Sequence, residues 1–157
     1  MELDEKTKVN ILYVDDEENN LQSFKAAFRR DYNGFLASSG FQGQDVLKQH
    51  TIHIIVTDQR MPGMTGVEFL ESILDEYPDA MRILLTGYSD IDAVVDAVNK
   101  GKIYHYHQKP WDENLLRTVF KNAYAHYRLV EDNKELTQKL IVVNNQLEFM
   151  LRQKLLD

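Results

Sequence analysis

Short apolar runs and longer amphipathic segments alternate along this chain. The runs are Ile11-Leu12-Tyr13-Val14, a weaker Phe35-Leu36-Ala37, Ile52 to Val56, Ile83-Leu84-Leu85, and Tyr104 to His107. Between them, apolar residues recur at helical spacing. Leu21, Phe24 and Phe28 form one stripe; Val67, Leu70, Ile73, Leu74 and Tyr77 form a second; Ile91, Val94, Val95 and Val98 form a third. The third follows Ser89, which stands three residues before Asp92 in the manner of a capping box. The segment "SSGFQGQDVLKQH" predicts the weakest helix, with two glycines and a short stripe through Phe41, Val46 and Leu47. Five strands alternating with five helices predict a doubly wound α/β fold, a five-stranded parallel sheet covered on both faces. The near-continuous apolar runs at Ile11–Val14 and Ile52–Val56 suit its central strands.

In such sheets ligands bind beyond the carboxyl ends of the strands, where the strand order reverses. The polar residues at those ends therefore carry the chemistry. Asp15 and Asp16 follow the first run, Asp58 the third, Thr86 the fourth and Lys109 the fifth. Adjacent aspartates each raise the cost of ionising the other. Helix capping explains one of them, since carboxylates suit a helix N-terminus; a bound cation explains the set. Three carboxylates in one crevice need positive charge, of which Lys109 supplies one unit. A hard divalent ion with oxygen ligands supplies the rest, and Mg²⁺ suits best because it accepts one or two carboxylates, keeps waters and takes phosphate oxygens. A metal, a hydroxyl, a lysine and a carboxylate able to act as nucleophile are together the parts of a phosphoryl-transfer site.

Composition narrows the remaining classes. The chain has 157 residues, 43% of them hydrophobic, enough for one domain with an appendage. With 25 acidic against 18 basic residues, the net charge of -7 argues against a nucleic-acid surface. No cysteine is present, which excludes disulfide frameworks, thiolate metal sites and cysteine nucleophiles. No apolar run approaches the ~18 residues of a membrane span, and "MELDEKTKVN" lacks the apolar core of a signal peptide, so a soluble cytoplasmic protein is expected.

The motifs "LYVDDE", "IIVTDQRMPGMTGVEFL", "ILLTGYSD" and "YHYHQKPWD", in that order and spacing, closely resemble the receiver domain of two-component response regulators over roughly Val9 to Ala125. The resemblance implies a flavodoxin-like (βα)5 fold and a phosphorylation switch served by a sensor histidine kinase or phosphotransfer protein. It implies that Asp58 is the phospho-acceptor and that Asp16 binds Mg²⁺ directly. Asp15 would act mainly through a metal-bound water, and the Arg60 carbonyl would complete the protein ligands. Thr86 and Lys109 would hold phosphoryl oxygens, and Lys109-Pro110 would be cis. Thr86 would move toward the phosphoryl group while Tyr106 turns inward. Tyr88 and Trp111 would lend the output face an aromatic character. Such a protein is no enzyme in the usual sense; it catalyses only its own phosphoryl transfer and dephosphorylation.

Two departures stand out. Gly87 follows the switch hydroxyl where receivers commonly carry alanine, and Trp111 stands where phenylalanine is usual after Lys-Pro. The wording of the last two motifs is most similar to receivers attached to signalling output domains. His105 and His107 alternate in a strand, a spacing that offers a metal two ligands but no third. Other phosphate chemistries fit poorly. A haloacid-dehalogenase-type hydrolase would want a second Asp where Arg60 stands, and G-x-x-x-x-G-K-[ST] is absent.

The last helix should continue far beyond the domain, because Asp112 to Asp157 contains neither Pro nor Gly. Leu116, Val119, Phe120 and Ala123 should face the sheet. Beyond them Leu129, Leu136, Val143 and Met150 recur every seven residues, with Asn133, Leu140 and Leu147 as the second seam. This is an a/d heptad pattern in which Asn133 and Lys154 are polar a positions. It predicts a parallel two-stranded coiled coil and hence a homodimer. The division expected is a receiver at 1–125 and a helical extension at 126–157, the latter leading to an output domain or effector. The end in mid-heptad suggests a receiver-plus-linker piece of a longer regulator. A phosphorylation-independent, receiver-like dimerisation module is the alternative.

Overall fold

The computed structural model describes residues 8–87, 90–100 and 102–156. Ten elements alternate: β1 (Val9–Val14), α1 (Glu18–Phe28), β2 (Tyr32–Ala37), α2 (Gly40–Gln49), β3 (Ile54–Asp58), α3 (Gly66–Ile73), β4 (Met81–Thr86), α4 (Ile91–Asn99), β5 (His105–Gln108) and α5 (Glu113–Leu156). The five strands form one parallel sheet in the order β2-β1-β3-β4-β5. The chain moves from β1 outward to β2 and then returns to place β3 on the other side of β1. The order therefore reverses between β1 and β3, and the crevice beyond their carboxyl ends is the expected binding position.

Alternation along the strands fills two separate layers of core. Leu12 and Val14 of β1, Ile55 of β3 and Leu84 of β4 face Leu47, Phe69, Leu70, Ile73, Val94 and Ala97. Ile11 and Tyr13, Ile54 and Val56, and Ile83 and Leu85 face Leu21, Phe24, Phe28, Leu116, Val119, Phe120 and Ala123. The stripes expected on α1 and on the first turns of α5 are thus buried as a sheet-facing surface requires.

Elsewhere the boundaries and stripes differ from expectation. β3 begins at Ile54 and extends through Asp58, with Ile52 buried just before the strand. β5 begins at His105, after Tyr104. On α4 the sheet-facing residues are Val94 and Ala97, while Ile91 and Val95 are exposed. Val98 also packs against the core, so the buried face of α4 runs through Val94, Ala97 and Val98. On α2 Phe41 is exposed, and Gly40 and Gly43 take the buried side. A Cβ on Gly43 would lie 2.9 Å from the Phe69 ring, so the glycine is what lets α2 approach α3. The capping box expected on Ser89, and the output-face role of Tyr88, lie outside the described residues. A complete capping box does occur on α3, where Thr65 and Glu68 satisfy each other's backbone N–H groups.

α5 runs as one helix from Glu113 to Leu156. At ~1.5 Å per residue it is far longer than the sheet it covers. Its packing on the domain continues past the buried turns. Tyr124 and Tyr127 meet the His53 ring at 5.6 and 5.0 Å, His126 stacks on Tyr104 at 5.7 Å, and Lys134 pairs with Asp79.

Candidate functional site: an acidic pocket at the strand ends

β1, β3 and β5 bring three of the expected residues into one pocket. β1 ends at Val14, so Asp15 lies at its mouth with its side chain wholly buried. β3 carries Asp58 as its last residue, 8% exposed. Asp16 points into solvent beside them. Carboxylate oxygens of Asp15, Asp16 and Asp58 all lie within 4.8 Å of one another. Among the described residues this is the only cluster of at least three His, Asp or Glu side chains so arranged.

Lys109 enters from the other side. The β4–β5 ladder places Thr86 beside Gln108, and the Lys109 N–H donates to the Thr86 carbonyl at 2.9 Å. The ammonium then lies 3.1 Å from Asp58 Oδ1 and 3.3 Å from Asp15 Oδ2. Lys109-Pro110 is cis, as expected.

The electrostatics follow from burial. Desolvation pushes the Asp58 carboxyl above its ordinary range, while Lys109 and the Gln59 N–H pull against it and Asp15 adds to it. Burial would lower the Lys109 pKa, but the hydrogen bond and charge of Asp58, then those of Asp15, outweigh it and leave the lysine raised. One ammonium thus serves two buried carboxylates and leaves the pocket with excess negative charge. That excess, held on hard oxygen donors, suits a divalent cation of the Mg²⁺ type.

Asp15 is held more tightly than any sequence pattern suggested. Its Oδ2 accepts from the Tyr13 hydroxyl at 2.9 Å and from Asn20 Nδ2 at 3.1 Å, besides Lys109, and its Oδ1 accepts from the Glu17 N–H at 3.0 Å. The Tyr13 phenol is pushed above its ordinary pKa, chiefly by burial and then by Asp15, and remains a donor.

The loop after Asp58 is equally ordered. Gln59 is buried; its Oε1 accepts from the Val67 N–H at 2.9 Å and its carbonyl from the Gly66 N–H at 3.0 Å. A Cβ on Gly66 would overlap the Asp58 carbonyl oxygen, so only glycine lets α3 begin against the acceptor strand. Tyr13, Asn20, Gln59 and Gly66 escaped the sequence reading. The wording "DQRMPGMTG" held the last two, but nothing local in the pattern marks a glycine pressed against a backbone.

The remaining expected residues divide. Thr86 is buried, with its hydroxyl donating to the Gly87 carbonyl at 3.1 Å. Tyr106 is 45% exposed on β5. The Arg60 side chain reaches Asp90 at the start of α4, at 3.2 Å. Trp111 does not join Tyr106; it packs on Phe28 and Phe24 at centroid distances of 5.8 and 6.3 Å, in the layer shared by α1 and α5. Trp111 thus serves the packing between α1 and α5 rather than the aromatic output face expected of it. The rings of His105 and His107 lie 6.3 Å apart.

A five-stranded parallel sheet with three carboxylates, a hydroxyl and a lysine at its rim defines a receiver-type phosphorylation switch. Comparison with known proteins makes the assignment: residues 11–121 match the response regulator receiver domain, and the chain belongs to that family. It is 32% identical to the hydrogenase transcriptional regulatory protein HoxA of Bradyrhizobium diazoefficiens over 79% of this chain and 26% of that protein. It is 34% identical to HoxA of Cupriavidus necator over 71% of this chain and 23% of that one. The chain thus spans about a quarter of the length of these relatives. Among solved structures, the receiver domain protein from Clostridium thermocellum superposes with a TM-score of 0.74 at 30% identity, covering 78% of this chain and 98% of that one. An adenylate cyclase structure from Rhodopirellula baltica superposes at 0.81 with 28% identity, covering 85% of this chain and 99% of the other. Receiver domains are signalling switches rather than ordinary catalysts. No helix among the described residues is long and apolar enough to cross a membrane.

Proposed function

We propose that this chain is the phospho-accepting switch of a two-component system, that Asp58 receives the phosphoryl group from a histidine kinase or phosphotransfer protein, and that α5 carries the change to an output domain or partner. The observation that carries the reading is the pocket itself, where Asp58 lies within 4.8 Å of Asp15 and Asp16 oxygens and 3.1 Å from Lys109. Asp16, Asp15 through water, Asp58 and the Arg60 carbonyl would hold Mg²⁺. That ion would supply charge neutralisation for phosphoryl oxygens approaching an acidic pocket.

The chain's own residues do the rest. An Asp58 carboxylate oxygen attacks phosphorus as the bond from phosphorus to the donor nitrogen breaks. The Lys109 ammonium, already at Asp58, moves its charge onto a transferred oxygen. The Thr86 hydroxyl exchanges the Gly87 carbonyl for another such oxygen, and the space it leaves takes the Tyr106 ring. Hydrolysis by water at the same pocket resets the switch. The chemistry is tested by the lability of the labelled protein: an acyl phosphate survives acid and is lost in base, whereas a base-stable, acid-labile label would assign the phosphate to a histidine.

The receiver at 1–125 and the extension at 126–157 form a parallel homodimer in this reading. Its seam is Leu129, Asn133, Leu136, Leu140, Val143, Leu147 and Met150, whose apolar members are between 48% and 68% exposed. Through Ala123, Tyr127 and Lys134 the domain holds a different side of α5, and His126, one heptad before Asn133 and stacked on Tyr104, meets it on the seam side, so a second copy can reach the seam beyond that turn. Relatives named as transcriptional regulators and a neighbour named as an adenylate cyclase support an output beyond α5, without direct nucleic-acid contact by the receiver.

A further inference from the structure

Tyr13 belongs to no expected part of a phosphoryl-transfer site. It sits inside the apolar run of β1, and its ring is wholly buried. The ring stacks on Phe24 at 4.2 Å with the planes 2° apart, which fixes the direction of the phenol. Two residues on, and therefore on the same side of the strand, is Asp15. The hydroxyl donates to Asp15 Oδ2 at 2.9 Å. The other donors to that oxygen each have a second acceptor. Asn20 divides its amide between Asp15 at 3.1 Å and Glu17 at 3.2 Å, and Lys109 is shared with Asp58.

We propose that Tyr13 is a positioning residue of the acidic pocket: its buried hydroxyl fixes the orientation of the Asp15 carboxylate and so sets the affinity of the pocket for a divalent cation. This rests on the reading of Asp15, Asp16 and Asp58 as the Mg²⁺ site. When Lys109 turns to a phosphoryl oxygen, Asp15 loses that partner, and Tyr13 with Asn20 must hold the carboxylate. A hydrogen bond to an ionised carboxylate is about twice as strong as a neutral one, and here it sits out of water. Partners that orient metal-site ligands typically change affinity by about 10–100-fold when removed.

The test is calorimetric titration with Mg²⁺ alone of wild type, Tyr13→Phe and Asp16→Ala, with thermal melts of each in chelator. Tyr13→Phe keeps the ring and its stack on Phe24, and should raise the Mg²⁺ Kd about tenfold. A purely structural hydroxyl would lower the melting temperature in chelator yet leave the Kd within about twofold of wild type, and that result overturns the proposal. Wild-type affinity in Asp16→Ala would instead remove the cation site, and the role of Tyr13 with it. On unmutated protein, the Tyr13 hydroxyl proton should give a slowly exchanging NMR resonance that persists when Mg²⁺ is added. Its disappearance on Mg²⁺ addition would contradict the role even if Tyr13→Phe did not fold.

Discussion

Lys109 Nζ lies 3.1 Å from Asp58 Oδ1, a contact made across the sheet by residues 51 positions apart in sequence. The same ammonium touches Asp15, so one cation is shared by two buried carboxylates and offsets only part of their charge. Removing it should leave the metal pocket intact but take away the charge that meets the transferred group. Lys109→Ala should bind Mg²⁺ at least as tightly as wild type and accept phosphate about 100-fold more slowly. Stopped-flow fluorescence of Trp111 with acetyl phosphate, alongside a Mg²⁺ titration, separates the two effects.

The two adjacent aspartates should not be equivalent. Asp15 is engaged by Tyr13, Asn20, Glu17 and Lys109, whereas Asp16 is exposed to solvent at the pocket mouth. Asp16→Ala should therefore weaken Mg²⁺ binding by more than tenfold and by more than Asp15→Ala does. Equal affinities for the two variants would contradict the roles assigned to them.

Much of this pocket was legible because each strand reads as an apolar run and the polar residue ending it is conspicuous. Asp15, Asp58, Thr86 and Lys109 were found that way, and parallel pairing does bring their strands together. What escaped reading was chemistry hidden in apolar or small residues. Tyr13 counted as one more apolar strand position, and its hydroxyl mattered only once Asp15 lay two residues along the same face. Gly66 acts through its missing Cβ, which leaves room for the Asp58 carbonyl and gives no signal in the pattern. The stripe on α4 is half right: Val94 is buried and Val98 packs against the core, while Ile91 and Val95 are exposed and Ala97 lies on the buried face. Trp111, expected with Tyr88 on the output face, packs instead on Phe24 and Phe28 between α1 and α5, a contact that strand and helix periodicity does not reveal.

The extension should behave separately from the chemistry. α5 remains attached to the domain through Tyr127 and Lys134, so the informative cut lies beyond them. A chain ending at Gln138 should be monomeric in light scattering and still accept phosphate, whereas the full chain should be a dimer. Asn133→Leu should strengthen association and loosen the choice of register or oligomer state, because a polar a position trades stability for specificity. A cut chain as dimeric as its parent would move the interface elsewhere.

His53 joins β3 to α5, its Nδ1 accepting the Asn10 N–H at 2.9 Å while its ring meets Tyr124 and Tyr127. Its pKa is lowered from 6.5, first by burial and then by Arg128, with Glu131 opposing. A histidine depressed in the folded state gives stability that is present above the unfolded pKa and lost as pH falls through the folded one. Melting temperature should therefore decline as pH drops below about 6.5, and less steeply in His53→Gln, which keeps an acceptor but cannot titrate. Parallel curves for the two proteins would exclude His53 as the cause.

The central claim is that Asp58 is the phospho-acceptor. Intact mass after incubation with acetyl phosphate tests it most directly, on wild type with and without Mg²⁺ and on Asp58→Asn with Mg²⁺. The account predicts a single added phosphoryl group, about 80 Da, on wild type with Mg²⁺ and on neither of the other samples. Undiminished labelling of Asp58→Asn, or labelling of wild type that ignores Mg²⁺, would contradict it.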